Sequence, residues 1–191
     1  MIAGHFGFAA MVKARERTPP LWALMLATVW LDIVFTPLFL AHIESVQQVR
    51  THPAYGGAII HADLTHSFLG MLVLSAVLGL AFLPKWGRRV ATVIGLVAAS
   101  HWFLDLVVHR PDMPLLPENL GHLPRLGLGL WTHPQLSAAL ELLLVLAGAA
   151  FYGRGARDVS RQAGQSGKWP LISASLIAIF GLLVLYMDYT A

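Results

Sequence analysis

The sequence predicts an all-α, polytopic transmembrane bundle of about five spanning helices, preceded by a short half-depth helix at the N-terminus. Three observations carry that expectation. Of 191 residues, 57% are hydrophobic and 12% are charged, against roughly 25% charged in ordinary soluble domains, so a water-facing surface cannot be built. Apolar runs long enough to cross a hydrocarbon core of about 30 Å recur along the chain. Lys and Arg fall in short clusters between those runs, as they do in the loops of membrane proteins.

Four runs meet the length requirement plainly: 21–42, 64–84, 90–108 and 169–189. A fifth, 135–152, is shorter and carries Glu141, yet it is too apolar for a solvated helix. The first twelve residues are apolar but too short to cross, and their basic cluster, Lys13, Arg15 and Arg17, follows the apolar stretch. A signal peptide has the opposite order. A half-depth or interfacial helix is therefore expected there, and the whole chain, 1–191, should form a single integral membrane domain. The stretch 153–167 reads as a solvated linker and the Pro-rich 111–134 as an ordered or semi-ordered outer cap. The absence of cysteine excludes disulfides, thiolate zinc sites and cysteine nucleophiles, leaving any metal to His and carboxylate ligands.

A net charge of +3 would suit nucleic acid, but the clustering assigns the cations to membrane orientation. No nucleic-acid partner is expected; the lipid bilayer is. The segments before the first span, between the second and third, and before the last hold ten of the thirteen Lys and Arg, with Arg50, Arg110 and Arg125 on the opposite side. Positive charge marks the cytoplasmic face. The basic N-terminal segment is thus expected in the cytoplasm and the C-terminus outside, in a bacterial inner membrane. Trp131, Trp169, Tyr186 and Tyr189 read as interface anchors.

Seven of the nine histidines, His42, His52, His61, His66, His109, His122 and His133, lie at the outer ends of spans or in the outer loops. His5, Asp32, His101, Asp105 and Glu141 lie within apolar segments, where an ionisable group costs roughly 2.5 to 3.5 kcal/mol on insertion scales. Each should face a partner or water. At a rise of about 1.5 Å per residue from the inner helix ends, His5 is roughly 12 Å deep and Asp32 and His101 roughly 18 Å, with Asp105 and Glu141 at nearly the same level. His101, Asp105 and His109 are spaced i, i+4, i+8, along a single helix face. A His and a carboxylate one turn apart can ligate one cation, or the carboxylate can orient the imidazole.

The segment His61-Ala62-Asp63-Leu64-Thr65-His66-Ser67 runs from the first outer loop into the second span. Asp63 or Thr65 is its expected cap, which leaves His66 in the first turn facing the bundle, with His61 folded back over it. Ser67 is read as support for His66. His109, Arg110 and Asp112, next to Pro111, suit a capped or salt-bridged helix end at least as well as catalysis. His42, His52, His122 and His133 read as loop residues, and Gly127 and Gly129 as turn residues.

Four elements occur in order: Gly4-His5 beside a small-residue helix, Asp32 inside the following helix, the His-x-x-x-Thr-His-Ser segment from His61 to Ser67, and Ser-His-x-x-x-Asp from Ser100 to Asp105. Together they resemble the bacterial and archaeal family of membrane-bound metal-dependent hydrolases, which carries a His-Arg-Gly-x-Thr-His-Ser signature. A set of bacterial membrane proteins is also similar through the run from Ser100 to Asp112 and through Gly127-Leu128-Gly129-Leu130-Trp131. The resemblance covers roughly residues 1–155 and leaves out the last span. It implies a membrane-embedded metal centre with His5, Asp32, His66, His101 and Asp105 as ligands and His61 beside them. Ala62-Asp63 stands where the family has Arg-Gly, so any anion-binding role of that arginine is vacant or passes to Arg110.

The leading expectation is a metalloenzyme that hydrolyses an ester or phosphoester of a lipid or other amphipathic substrate at the outer leaflet. Mixed imidazole and carboxylate ligands favour a divalent zinc ion, with manganese or iron as alternatives and room for two metals. Proton transfer falls to Glu141 or His61, with a structural pairing of Glu141 to an outer-loop Arg an equal alternative. The same residues also suit an ion- or proton-coupled transporter, a non-enzymatic assembly subunit whose polar layer joins the helices, or haem held between His5 and His101.

Overall fold

The computed structural model describes residues 1–48, 57–165 and 167–190; Arg50 and His52 lie outside them. In chain order the elements are α1 (Ile2–Arg15), α2 (Leu21–Thr28), α3 (Trp30–Leu40), β1 (Ser45–Gln48), β2 (Ala58–His61), α4 (Phe68–Val108), α5 (Pro134–Gln162) and α6 (Trp169–Thr190). The chain is mostly helical, but it is not all helix. β1 and β2 pair antiparallel, Ser45 opposite His61 and Val46 opposite Ile60. The β-branched residues of this outer segment, Val46, Ile59 and Ile60, suit a pleated surface, and Ile60 packs on the core formed by Val108 and Trp131.

Three helices, α4, α5 and α6, are individually long and apolar enough to cross a membrane, and the bent pair α2 and α3 makes a fourth. Five separate spans are therefore not what the elements present. The run 21–42 is split at Val29, where α2 and α3 meet at 50°, and the runs 64–84 and 90–108 are joined in the 41 residues of α4. α4 nevertheless doubles back on itself. Gly87 has φ 75° and ψ 173°, a region essentially reserved for glycine. A Cβ on Gly79 would come 2.8 Å from the Ala91 carbonyl oxygen and 3.4 Å from Gly95 Cα, whereas a straight helix separates residues 79 and 91 by about 18 Å. The two halves of α4 lie side by side.

The expected linker 153–167 is mostly helix, because α5 runs to Gln162. Its glycines serve packing: Gly153 meets Ala174 of α6, and Gly155 meets Ala14 of α1. α1 lies against α5 so closely that a Cβ on Gly7 would strike the Leu144 carbonyl and one on Gly148 would strike the Gly7 carbonyl. α6 faces outward, with 11% of its apolar window buried. Trp169, Tyr186 and Tyr189 are exposed, but Trp131 is buried and so is no interface anchor.

The two ends of the bundle differ. At one end Arg89 pairs with Glu16 at 3.0 Å and Arg17 bonds Gln162 at 3.0 Å, which gathers the end of α1, the Gly87 turn and the end of α5 into a basic face. At the other end residues 111–134 form an ordered cap. Met113 and Leu126 pair as a β-bridge, Leu128 N–H donates to Leu106 O, and Gly129 N–H donates to His109 O. Gly127, at φ 146°, lies where a side chain would strike the Arg110 carbonyl.

Candidate metal centre

The bend between α2 and α3 has a local use. Thr28 Oγ1 donates to the His5 carbonyl at 3.1 Å, and the Thr28 carbonyl accepts from His101 Nδ1 at 2.8 Å. A carbonyl can only accept, so Nδ1 of His101 carries a proton, and in the neutral ring Nε2 carries the lone pair.

His66 is held in the same way by a different device. Glu44, 2% exposed, accepts the N–H groups of Leu64 and Thr65, each at 2.9 Å, and the Thr65 hydroxyl donates to Glu44 Oε2 at 2.9 Å. That uses the only hydroxyl proton, so Thr65 Oγ1 accepts from His66 Nδ1 at 2.9 Å and leaves His66 Nε2 with a lone pair. The cap of α4 is Ser67, whose Oγ accepts from Gly70 N–H at 2.9 Å, and not Asp63 or Thr65. His66 therefore sits just before the helix, its carbonyl accepting from Trp102 Nε1 at 2.8 Å.

The two lone pairs face each other. His66 Nε2 and His101 Nε2 are 3.2 Å apart, and both lie 3.5 Å from Asp32 Oδ1. Asp105 Oδ2 is 2.9 Å from His101 Nε2 and 3.9 Å from His66 Nε2. With both rings neutral, two nitrogen lone pairs and two carboxylates point inward and repel one another unless a proton or a metal cation lies between them. These separations bracket the edge of about 3.4 Å expected for a tetrahedron with metal–donor bonds of about 2.1 Å. The donor set thus fits a metal ion. His101 is fully buried and Asp105 nearly so, while the Asp32 side chain is 36% exposed and forms the open side.

His5 completes the group expected from sequence, but in another manner. Its Nε2 is 3.0 Å from Asp105 Oδ1, its ring stacks on His101 at 4.0 Å and 16°, and its buried Nδ1 has no hydrogen-bond partner. Rings stacked face to face leave no space for a porphyrin between them, which removes the haem alternative. Among the described residues two groups can hold a metal ion, His5 with His101 and Asp105, and Asp32 with His66 and His101.

His109 joins them, although the sequence suited a helix-end role at least as well. It is buried at the C-cap of α4; Nδ1 donates to Asp112 Oδ1 at 2.9 Å, and Nε2 is 3.7 Å from Asp105 Oδ2. Trp131 covers its ring at 4.2 Å. The i, i+8 spacing from His101 was the signal for it. Glu44 had none, because its partners are 20 and 21 residues away.

Glu141 and His61 are placed elsewhere. Glu141, fully buried on α5, accepts the Gly4 N–H at 3.0 Å through Oε2, and its Oε1 has no hydrogen-bond partner. His61 ends β2. Among the described hydrogen bonds and ion pairs, neither touches the five-residue group. Asp63 is gripped by Arg125 through two bonds of 2.7 Å, and that hydrogen bonding, with the carboxylate charge, raises the Arg125 pKa above its ordinary value.

No protein-family model, curated protein or solved structure matches this chain significantly.

Proposed function

We propose that the chain is a membrane-embedded, metal-dependent hydrolase that crosses a bacterial inner membrane five times, with the basic face in the cytoplasm and the cap outside. Both halves of α4 approach crossing length, the bent α2–α3 pair counts as one crossing, and ten cations in three short segments favour this orientation. The proposed membership in the membrane-bound metal-dependent hydrolases rests on the ordered motifs around His5, Asp32, His66 and His101.

One observation carries the reading. Two imidazole Nε2 atoms 3.2 Å apart, each with its Nδ1 proton committed to an oxygen, converge with two carboxylates in an apolar interior. Such an arrangement is stable with a divalent ion, zinc by donor chemistry. When bound, that ion supplies Lewis acidity and a water acidified to near neutral pH. Thr28 and Glu44 fix the tautomers, and Asp105 is held by His5. Asp32 supplies the open side, and the apolar Ile33, Phe39 and Leu40 of the same helix are exposed. That edge suits an ester or phosphoester with a hydrocarbon tail better than a fully polar substrate.

Elemental analysis of detergent-purified protein tests the centre. Near-stoichiometric transition metal is expected in the wild type, with most of it lost in His101→Ala. A metal-free wild type overturns the reading in favour of a polar layer that only joins helices. Hydrolysis of amphipathic esters by the metal-loaded protein, without ion flux in proteoliposomes, separates the enzyme from a carrier.

A further inference from the structure

Among the described residues four histidines approach Asp105, and they fall into two kinds. His66, His101 and His109 each tie Nδ1 to an oxygen: Thr65 Oγ1 at 2.9 Å, the Thr28 carbonyl at 2.8 Å and Asp112 Oδ1 at 2.9 Å. Each then turns Nε2 toward the same atom, Asp105 Oδ2, at 3.9, 2.9 and 3.7 Å. His5 breaks the pattern. Its Nδ1 is buried without a partner, and its Nε2 meets the other oxygen, Oδ1, at hydrogen-bond distance. His101 Nε2 is equally near Asp105, but its ring proton is drawn to Nδ1 by the Thr28 carbonyl; His5 has no acceptor at Nδ1, so its proton lies on Nε2, where Asp105 Oδ1 accepts it and no lone pair is left on that side.

We infer that His109 is the third imidazole donor of the metal centre and that His5 is a positioning residue, holding Asp105 by a hydrogen bond without ligating the ion. The inference rests on the metal reading proposed above and extends it to a residue outside the ligand set implied by the sequence motifs. Asp112 plays for His109 the part that metal sites commonly give to a carboxylate behind a histidine, fixing the tautomer and the ring plane. Asp112 is itself fixed, since Oδ2 accepts the Ile60 N–H of β2 at 3.3 Å and its carbonyl accepts from Arg125 at 2.8 Å. The cap thereby reaches the metal centre through one histidine. Trp131 packs against the same ring, tilted by 38° with centroids 4.2 Å apart.

Electron spin echo modulation of the Cu(II)-loaded, detergent-purified protein tests this directly, because it counts coordinated imidazoles through their remote nitrogens. Three imidazoles are expected in the wild type, two in His109→Ala and three in His5→Phe. Asp112→Asn, which leaves the ring in place, should shift the remote-nitrogen frequencies of one imidazole in three, since that nitrogen is the one bonded to Asp112. Two imidazoles in the wild type, or loss of one in His5→Phe but none in His109→Ala, overturns the inference while the metal reading stands. A wild type that takes up no stoichiometric Cu(II) defeats both.

Discussion

The basic half and the capped half of this bundle are held by opposite means. Toward the basic end, helices meet through missing side chains: Gly7 on the Leu144 carbonyl, Gly148 on the Gly7 carbonyl, Gly79 against Ala91 and Gly95. Small residues of this kind let backbones approach where lipid offers no hydrophobic drive between helices. Toward the capped end the contacts are polar, with Glu44 behind His66, Asp112 behind His109 and Arg125 across Asp63. Close backbone packing sets how far apart α1, α4 and α5 lie, while the polar braces set where each imidazole proton goes. The candidate metal centre at the junction needs both, and changes in the two halves should therefore fail differently.

The largest effect is expected in the packed half. A Cβ on Gly148 meets backbone, not a flexible side chain, so relief requires α1 and α5 to separate. Overpacking typically costs 1 to 3 kcal/mol, and a clash with main chain belongs at about the upper figure. Gly148→Ala should lower the thermal unfolding midpoint in detergent and loosen metal together, because His5 rides on α1. Retention of the wild-type midpoint would show that α1 is not clamped there.

Glu44→Gln should act on the centre alone. With the amide nitrogen in place of Oε2, the side chain donates to Thr65 Oγ1 and leaves the hydroxyl proton only the longer bond to Oε1, at 3.1 Å, so Thr65 holds the His66 Nδ1 proton less firmly. Loss of such outer support commonly lowers metal affinity by about 10- to 100-fold, with the unfolding midpoint of the metal-free protein little changed. Competition with a chelator measures it. An unaltered affinity would mean that the tautomer of His66 is not set through Thr65.

The contrast between the halves also explains what the sequence disclosed. Helices, apolar spans and the depth of His5, Asp32, His101 and Asp105 follow from composition and a rise of about 1.5 Å per residue, and these residues do meet. The split at Val29 was illegible because it answers to His101, some 73 residues away. The same holds for Glu44, whose job depends on a turn 20 residues on. The run 153–167 was misread because glycine signals a flexible linker and close helix packing equally well, and only the partners Ala14 and Ala174 decide between them. His109 stood on the right helix face, but the adjacent Pro111 suited a helix end, and its second partner, Asp112, counts as orientation only once the cap is folded.

The smallest effect belongs to the cap's own clamp. Arg125 grips both oxygens of Asp63, with side chains 29% and 24% exposed, so water screens the pair and about 0.2 to 1 kcal/mol is the expected loss in Arg125→Gln. Its pH dependence has a definite sign. The Arg125 pKa is raised in the folded state above its ordinary value, so the cation's contribution is complete below that ordinary value and is lost only as pH rises past the folded one. The difference in unfolding midpoint between Arg125→Gln and the wild type should then stay constant from neutral pH to about pH 10. A gap that closes within that window would show that the clamp depends on some group other than the guanidinium. Because Arg125 also holds the Asp112 carbonyl, any accompanying change at the centre should appear in the imidazole of His109 and leave those of His66 and His101 unmoved.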